Sequence, residues 1–102
     1  MPFFAMNRFR VLRGHEDTFI EIWRNRDSHL AQVPGFVRFH LLQGAQTDEH
    51  TLFISHSEWE SEQHFLDWTR SEAFRKAHAN AGNAPRDIYA GPPQLEQLRA
   101  VL

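Results

Sequence analysis

Phe3-Phe4-Ala5-Met6-Asn7-Arg8-Phe9-Arg10-Val11-Leu12 is the stretch on which the fold turns. It reads as a strand, and at a period of two Phe3, Ala5, Asn7, Phe9 and Val11 share one face. That face is apolar except at Asn7. A carboxamide buried without partners costs about 1–3 kcal/mol. Asn7 therefore either bonds a neighbouring backbone group or a water, or it serves a ligand. The opposite face carries Phe4, Met6 and Leu12 beside Arg8 and Arg10.

Reading outward, Gly14 ends the strand and a helix is predicted over about 16–31. Phe19, Ile20, Ile22, Trp23 and Leu30 have roughly helical spacing. Glu16 and Asp17 fall in the first turn, where the macrodipole favours anions. Pro34-Gly35 is a stop and a turn. A second strand over 36–42, a polar loop over 44–49 and a third strand over 51–59 form an antiparallel hairpin. His40, His56 and Glu58 alternate with apolar residues and give it one wetter face. Ser61 caps a second helix whose apolar stripe is Phe65 and Trp68. The residues 69–71 read as a break, after which Ser71 caps a third helix to about 79, with Phe74, Ala77 and His78 on one face. Gly82, Pro85, Gly91, Pro92 and Pro93 forbid a continuous element over 80–93, which reads as a loop or mobile flap. The residues 95–102 suit a last strand, although propensity alone also allows a helix.

The order β-α-β-β-α-β predicts an α+β fold, the ferredoxin-like βαββαβ arrangement, with an antiparallel sheet and helices on one side. With 102 residues, one domain over 1–102 is expected. Helices on one side leave the other sheet face bare, and a second copy packed against it predicts a homodimer.

Nine Phe and three Trp mean either an aromatic-heavy core or rings that line a pocket. The net charge is −2 with the two signs interspersed, and no basic stripe points to nucleic acid. Seven His occur without HxH or HxxxH spacing, so a zinc site on one helix is not indicated. The chain has no Cys, which excludes disulfides, thiolate ligands and a Cys nucleophile and fits a reducing compartment. Asn7, Arg8 and Arg10 interrupt the apolar start, so a signal peptide is not expected. No stretch approaches a membrane span, and a soluble cytoplasmic protein is expected.

Three residues suggest chemistry together. On one unbroken helix Trp68 and His78 would lie about 80° apart on the wheel and about 15 Å apart along the axis. The break at 69–71 lets both face one cleft between helices and sheet, where Asn7 also points. His78 offers an imidazole for a metal, Trp68 a flat plate, and Asn7 an amide donor. Without Cys, His is the natural axial ligand for a porphyrin iron. Arg75 and Lys76, with Arg24 and Arg26, can meet carboxylates at a pocket rim. Each residue also has a plainer reading: His78 as a surface residue near a helix end, Trp68 and Trp59 as core.

The whole chain resembles the haem-degrading monooxygenases of the IsdG type, in the antibiotic biosynthesis monooxygenase (ABM) superfamily of dimeric α+β barrels. The matching pieces are Met6-Asn7-Arg8, Val33-Pro34-Gly35-Phe36, Glu58-Trp59-Glu60-Ser61 and Phe65-x-x-Trp68…Ser71-x-x-Phe74-x-x-Ala77-His78. The Pro-Gly-Phe and Glu-Trp pieces mark the superfamily; Asn7, Trp68 and His78 are the specific part. The resemblance implies that His78 is the axial ligand to haem iron. It implies that Asn7 hydrogen-bonds the oxygen species on that iron, and that Trp68 presses on the porphyrin and ruffles it. Trp23 and Arg26 fall where relatives place pocket and propionate contacts, and Phe74 joins them as a haem contact. Haem is then both substrate and cofactor. Dioxygen and an external electron donor, an unidentified reductase or ascorbate, complete the reaction, and no flavin is implied. Three rivals share the outline: a cofactor-free ABM monooxygenase acting on a planar aromatic, a non-catalytic haem carrier or sensor, and a small dimeric binding domain. His78 separates the first rival from the haem reading.

Overall fold

The computed structural model describes residues 1–26, 30–72, 74–75 and 87–102. The elements are β1 (Phe3–Leu12), α1 (Glu16–Arg24), a 3-10 turn (Leu30–Gln32), β2 (Phe36–Gln46), β3 (His50–Trp59), α2 (Glu62–Thr69) and β4 (Gln94–Arg99). The strands form one antiparallel sheet in the order β2-β3-β1-β4. This is the predicted ferredoxin-like α+β fold, with the first strand at the centre of the sheet.

Local chemistry explains the element ends. Ser61 caps α2 as predicted, its Oγ accepting the His64 N–H at 3.2 Å. Ser71 starts another turn after the break, accepting the Phe74 N–H at 3.1 Å through Oγ and the Arg75 N–H at 3.3 Å through its carbonyl. The rest of the predicted third helix, including Ala77 and His78, lies outside the described residues.

The structure corrects four boundaries. The first helix ends at Arg24 rather than near 31. The Asn25 and Arg26 N–H groups bond back to Glu21 and Trp23, the second closing a tighter turn at 3.2 Å. Asn25 competes poorly for helix, and Leu30, although in helical register, is buried from a separate 3-10 turn. The second strand runs on to Gln46 through a register shift at Gly44. The connecting turn is shorter than expected because Thr47 closes it, its Oγ1 accepting the Glu49 and His50 N–H groups at 3.2 and 3.1 Å. The last segment is the expected strand, over Gln94–Arg99 rather than 95–102, and it completes the open edge of β1. Finally, the end of the 80–93 loop is not a flap. The Leu12 N–H donates to the Ile88 carbonyl at 2.7 Å, the Ala90 N–H donates to the Arg10 carbonyl at 2.8 Å, and Ile88 is buried. The part of that loop before residue 87 lies outside the described residues.

The core between sheet and helices forms two clusters. One is built on Phe3, Ala5, Leu30, Trp59 and Phe65, the other on Phe9, Val11, Phe19, Phe53 and Ile88. Among the described residues no helix is long and apolar enough to cross a membrane.

Gly35 holds the entry to β2 at φ 83, and its carbonyl accepts the Glu60 N–H at 2.8 Å. A Cβ there would lie 2.1 Å from the His64 ring. The left-handed backbone alone costs an L-residue about 1–2 kcal/mol, and the clash adds to it. Gly35→Ala should therefore lower stability by about 2–4 kcal/mol in urea denaturation. A loss under about 0.5 kcal/mol, the range of an ordinary surface change, would contradict this account.

Candidate active site

The site lies where the two clusters part. On β1 the first cluster takes Phe3 and Ala5, the second takes Phe9 and Val11, and Asn7 stands between them. Across the sheet the same row reads Leu41, Ser55, Asn7 and Leu95 in direct register. The sheet thus presents a polar step, Asn7 beside Ser55, between two aromatic walls.

Asn7 is half-buried, and its Oδ1 has no hydrogen-bond partner among the described residues. Buried polar side chains are bonded as a rule, so an exception requires a reason. A carboxamide can turn end for end, so this position can offer a ligand either a donor or an acceptor. Of the plainer expectation for Asn7, a bond to a neighbouring backbone group or to a water, the backbone bond is not found among the described residues.

Trp68, near the end of α2, belongs to the first wall. Its ring centroid lies 5.2 Å from that of Trp59, 6.1 Å from Phe65 and 4.8 Å from Phe74, the last edge-on. Trp59 is fully buried, as read from the sequence, and its Nε1 donates to Ser57 Oγ at 3.0 Å. Trp68 is only partly buried. It is a braced plate with some of its surface uncovered.

Trp23, on α1, belongs to the second wall. It meets Phe9 edge-on at 5.8 Å and stacks on Phe39 of β2 at 5.6 Å and 19°. Phe39 packs against the first cluster, so this stack spans the gap between the walls at its β2 side. The Arg26 guanidinium carbon sits 4.1 Å from the Trp23 ring centroid, a cation–π contact. Burial pushes the Arg26 pKa down, and the nearby Tyr89 phenol partly opposes that shift. Burial raises the pKa of Tyr89, with Arg26 acting against it. No carboxylate among the described residues lies within ion-pair distance of Arg26. It is a partly desolvated cation suited to an anionic group.

The structure brings Asn7, Trp68, Phe74, Trp23 and Arg26 to the helix side of the sheet. His78 and Lys76 lie outside the described residues. Arg24 turns away from the site and pairs with Glu21 on the exposed face of α1. Among the described residues no group of three His, Asp or Glu could hold a metal ion. Ser55, Phe39 and Tyr89 escaped the sequence reading. Tyr89 carried a weak signal, since Ile88-Tyr89 is an apolar pair in an otherwise polar loop. Ser55 carried only its position opposite Asn7.

Comparison with known proteins converges on one family. The sequence pattern described as antibiotic biosynthesis monooxygenase matches residues 2–80. A heme-degrading monooxygenase of Bacillus cereus (strain B4264) is 27% identical over 82 residues, spanning 80% of this chain and 76% of that protein. A Bacillus cereus protein whose crystal structure bears the antibiotic biosynthesis monooxygenase name superposes with a TM-score of 0.83 at 17% identity, over 100% of this chain and 93% of that one. A mutant of MhuD with two manganese protoporphyrin IX bound per active site gives 0.69 at 24%, over 98% and 95%. SnoaB, a cofactor-independent oxygenase from Streptomyces nogalater, gives 0.70 at 20%, over 99% and 94%. At these identities the structural likeness shows the fold.

A carboxamide kept for a ligand should cost the empty protein stability. Asn7→Leu, similar in size and without polar atoms, should raise stability by about 1 kcal/mol in thermal or urea unfolding. A variant no more stable than the native protein would mean that Asn7 is satisfied where it sits.

Proposed function

Because the chain belongs to the antibiotic biosynthesis monooxygenase family, we propose that it is a haem-degrading monooxygenase. Haem is its substrate, and the ring is opened with dioxygen and electrons from an external donor, with release of iron. The observation that carries this reading is the half-buried Asn7 carboxamide, unpartnered among the described residues, in the gap between two aromatic walls. A haem needs flat apolar surfaces on its ring, a cation for its carboxylates and a polar group near its centre. The walls, Arg26 and Asn7 match those needs. The 27% identity to a heme-degrading monooxygenase supports the same choice.

In this reading the iron of the bound substrate supplies the chemistry with dioxygen once reduced, and the protein supplies position and shelter. His78 would hold the iron through its imidazole. Asn7 would donate a hydrogen bond near the centre of the substrate, where a donor in a water-poor site is worth several kcal/mol. Trp68, backed by Trp59, Phe65 and Phe74, presses on the ring, and the packed aromatics keep it from yielding. Arg26, lying over Trp23, takes a carboxylate of the substrate.

A second copy of the chain completes the molecule in this reading. The sheet face turned from the helices carries Phe4, Met6 and Leu12 of β1, Leu52 and Ile54 of β3, and the exposed Leu42 and Leu98. The Arg8–Glu96 and Arg38–Glu58 pairs lie on that same face and give it both signs of charge. An apolar face with balanced charges suits packing against its own copy. Sedimentation at micromolar concentration should report a dimer, and a monomer would remove this part of the proposal.

The enzymatic reading is tested by adding hemin, recording the spectrum, then adding ascorbate with catalase present. A Soret band that decays with iron release is expected. A stable Soret band would point to a carrier, and no Soret band to a cofactor-independent oxygenase or to a binding domain without haem. His78→Ala should lose the native haem spectrum, and Asn7→Ala should keep haem while losing most turnover.

A further inference from the structure

We propose that Ser55 is a second substrate-facing residue of the site. Its hydroxyl and the Asn7 carboxamide together form a two-point hydrogen-bonding site for one small ligand atom held over the centre of the bound ring. The inference rests on the haem reading and adds a residue to it.

The inner face of β3 carries Thr51, Phe53, Ser55, Ser57 and Trp59 in alternation. Its other two hydroxyls are committed. Thr51 Oγ1 donates to Glu16 Oε2 at 2.9 Å. Ser57 Oγ donates to the Ala5 carbonyl at 3.3 Å and accepts from Trp59 Nε1 at 3.0 Å. Thr51 and Ser57 thus tie the strand to its surroundings on either side of the row that holds Asn7. Ser55 is buried too, at 9% exposure, yet its hydroxyl bonds no described residue. A structural serine in a strand interior would be expected to bond a carbonyl or a neighbour.

Its neighbour gives the reason. Ser55 is the direct cross-strand partner of Asn7. Side chains so opposed have Cβ atoms about 4.5–5.5 Å apart. At that spacing a hydroxyl and a carboxamide can converge on one atom above the sheet. The two groups do not bond each other: Asn7 Oδ1 has no partner and the Ser55 hydroxyl makes no hydrogen bond among the described residues. The pair is also where the clusters part, and an apolar residue at 55 would fill that gap and join the walls. A hydroxyl rotates to suit its partner and can donate or accept. Ser55 can therefore follow a ligand atom whose charge changes, while the amide fixes its direction.

Fluoride on ferric haem is a suitable probe, because it is a small anion whose affinity and charge-transfer band respond to hydrogen-bond donors. The comparison is between Ser55→Thr, which keeps the hydroxyl, and Ser55→Val, which has the same shape without it. Ser55→Ala serves as a third variant that adds no bulk. In hemin-loaded protein, Ser55→Val and Ser55→Ala should bind fluoride about tenfold more weakly and shift the band. Ser55→Thr should stay near the native protein, with hemin added to saturation in every variant. Equal fluoride affinity and an equal band in the Thr and Val variants would overturn the role of Ser55 and leave the haem reading standing. Native protein that binds no hemin would overturn the haem reading and this inference with it.

Discussion

The structure depends on the pairing of β1 with β3. Ten consecutive pairs join them without a shift, from Phe3 opposite Trp59 to Leu12 opposite His50. Side chains alternate between faces, so a slip of one residue would turn every inward group outward. Phe3, Phe9 and Val11 would leave the core, and Asn7 would leave the gap. Burying those apolar groups fixes the register, and the register in turn holds a carboxamide where it is not wanted for packing. β4 then pairs on the other side of β1, from Arg99 opposite Phe3 to Gln94 opposite Arg8. The residue with the least favourable burial thus sits at the middle of the most constrained strand.

The aromatic residues do two things at once. Phe3, Phe19, Phe53 and Trp59 are almost wholly enclosed and set the distance between sheet and helices. Trp23 and Trp68 lean on them while keeping part of their own surface uncovered. The question left open by composition, core or pocket lining, has the answer that the enclosed rings support the partly open ones. Side chains locked by neighbours hold their geometry, so the partly open rings are fixed in place by the enclosed ones.

Much of this was legible in the chain. The period of two in Phe3 to Val11 identified both the strand and the odd residue in it. Ser61 marked a helix start and Ser71 the start of a new turn, through the preference of serine for orphan N–H groups. The end of α1 was not legible, because Leu30 fits a helical stripe although it reaches the core from a separate turn. Ile88 was hidden by the Gly and Pro residues around it, since its burial comes from backbone bonds to β1 that no local pattern encodes. Ser55 was hidden for another reason. A serine in a strand is ordinary, and only the commitments of Thr51 and Ser57 on either side make it unusual. Asn7 and Trp68 stood out as candidates because one conflicts with its surroundings and the other stands at a break in a helix. His78, which completes the motif in the sequence, lies outside the described residues.

The two borders of the sheet have a consequence for how the molecule can grow. β2 is interrupted twice in its register against β3, near Phe36 and near Gly44, and β4 carries Glu96 and Arg99 along the opposite border. Irregular or charged borders are poor templates for a further strand. Lateral extension into a continuous ribbon is therefore blocked on both flanks, and any self-association is steered toward closed, finite particles instead of fibrils.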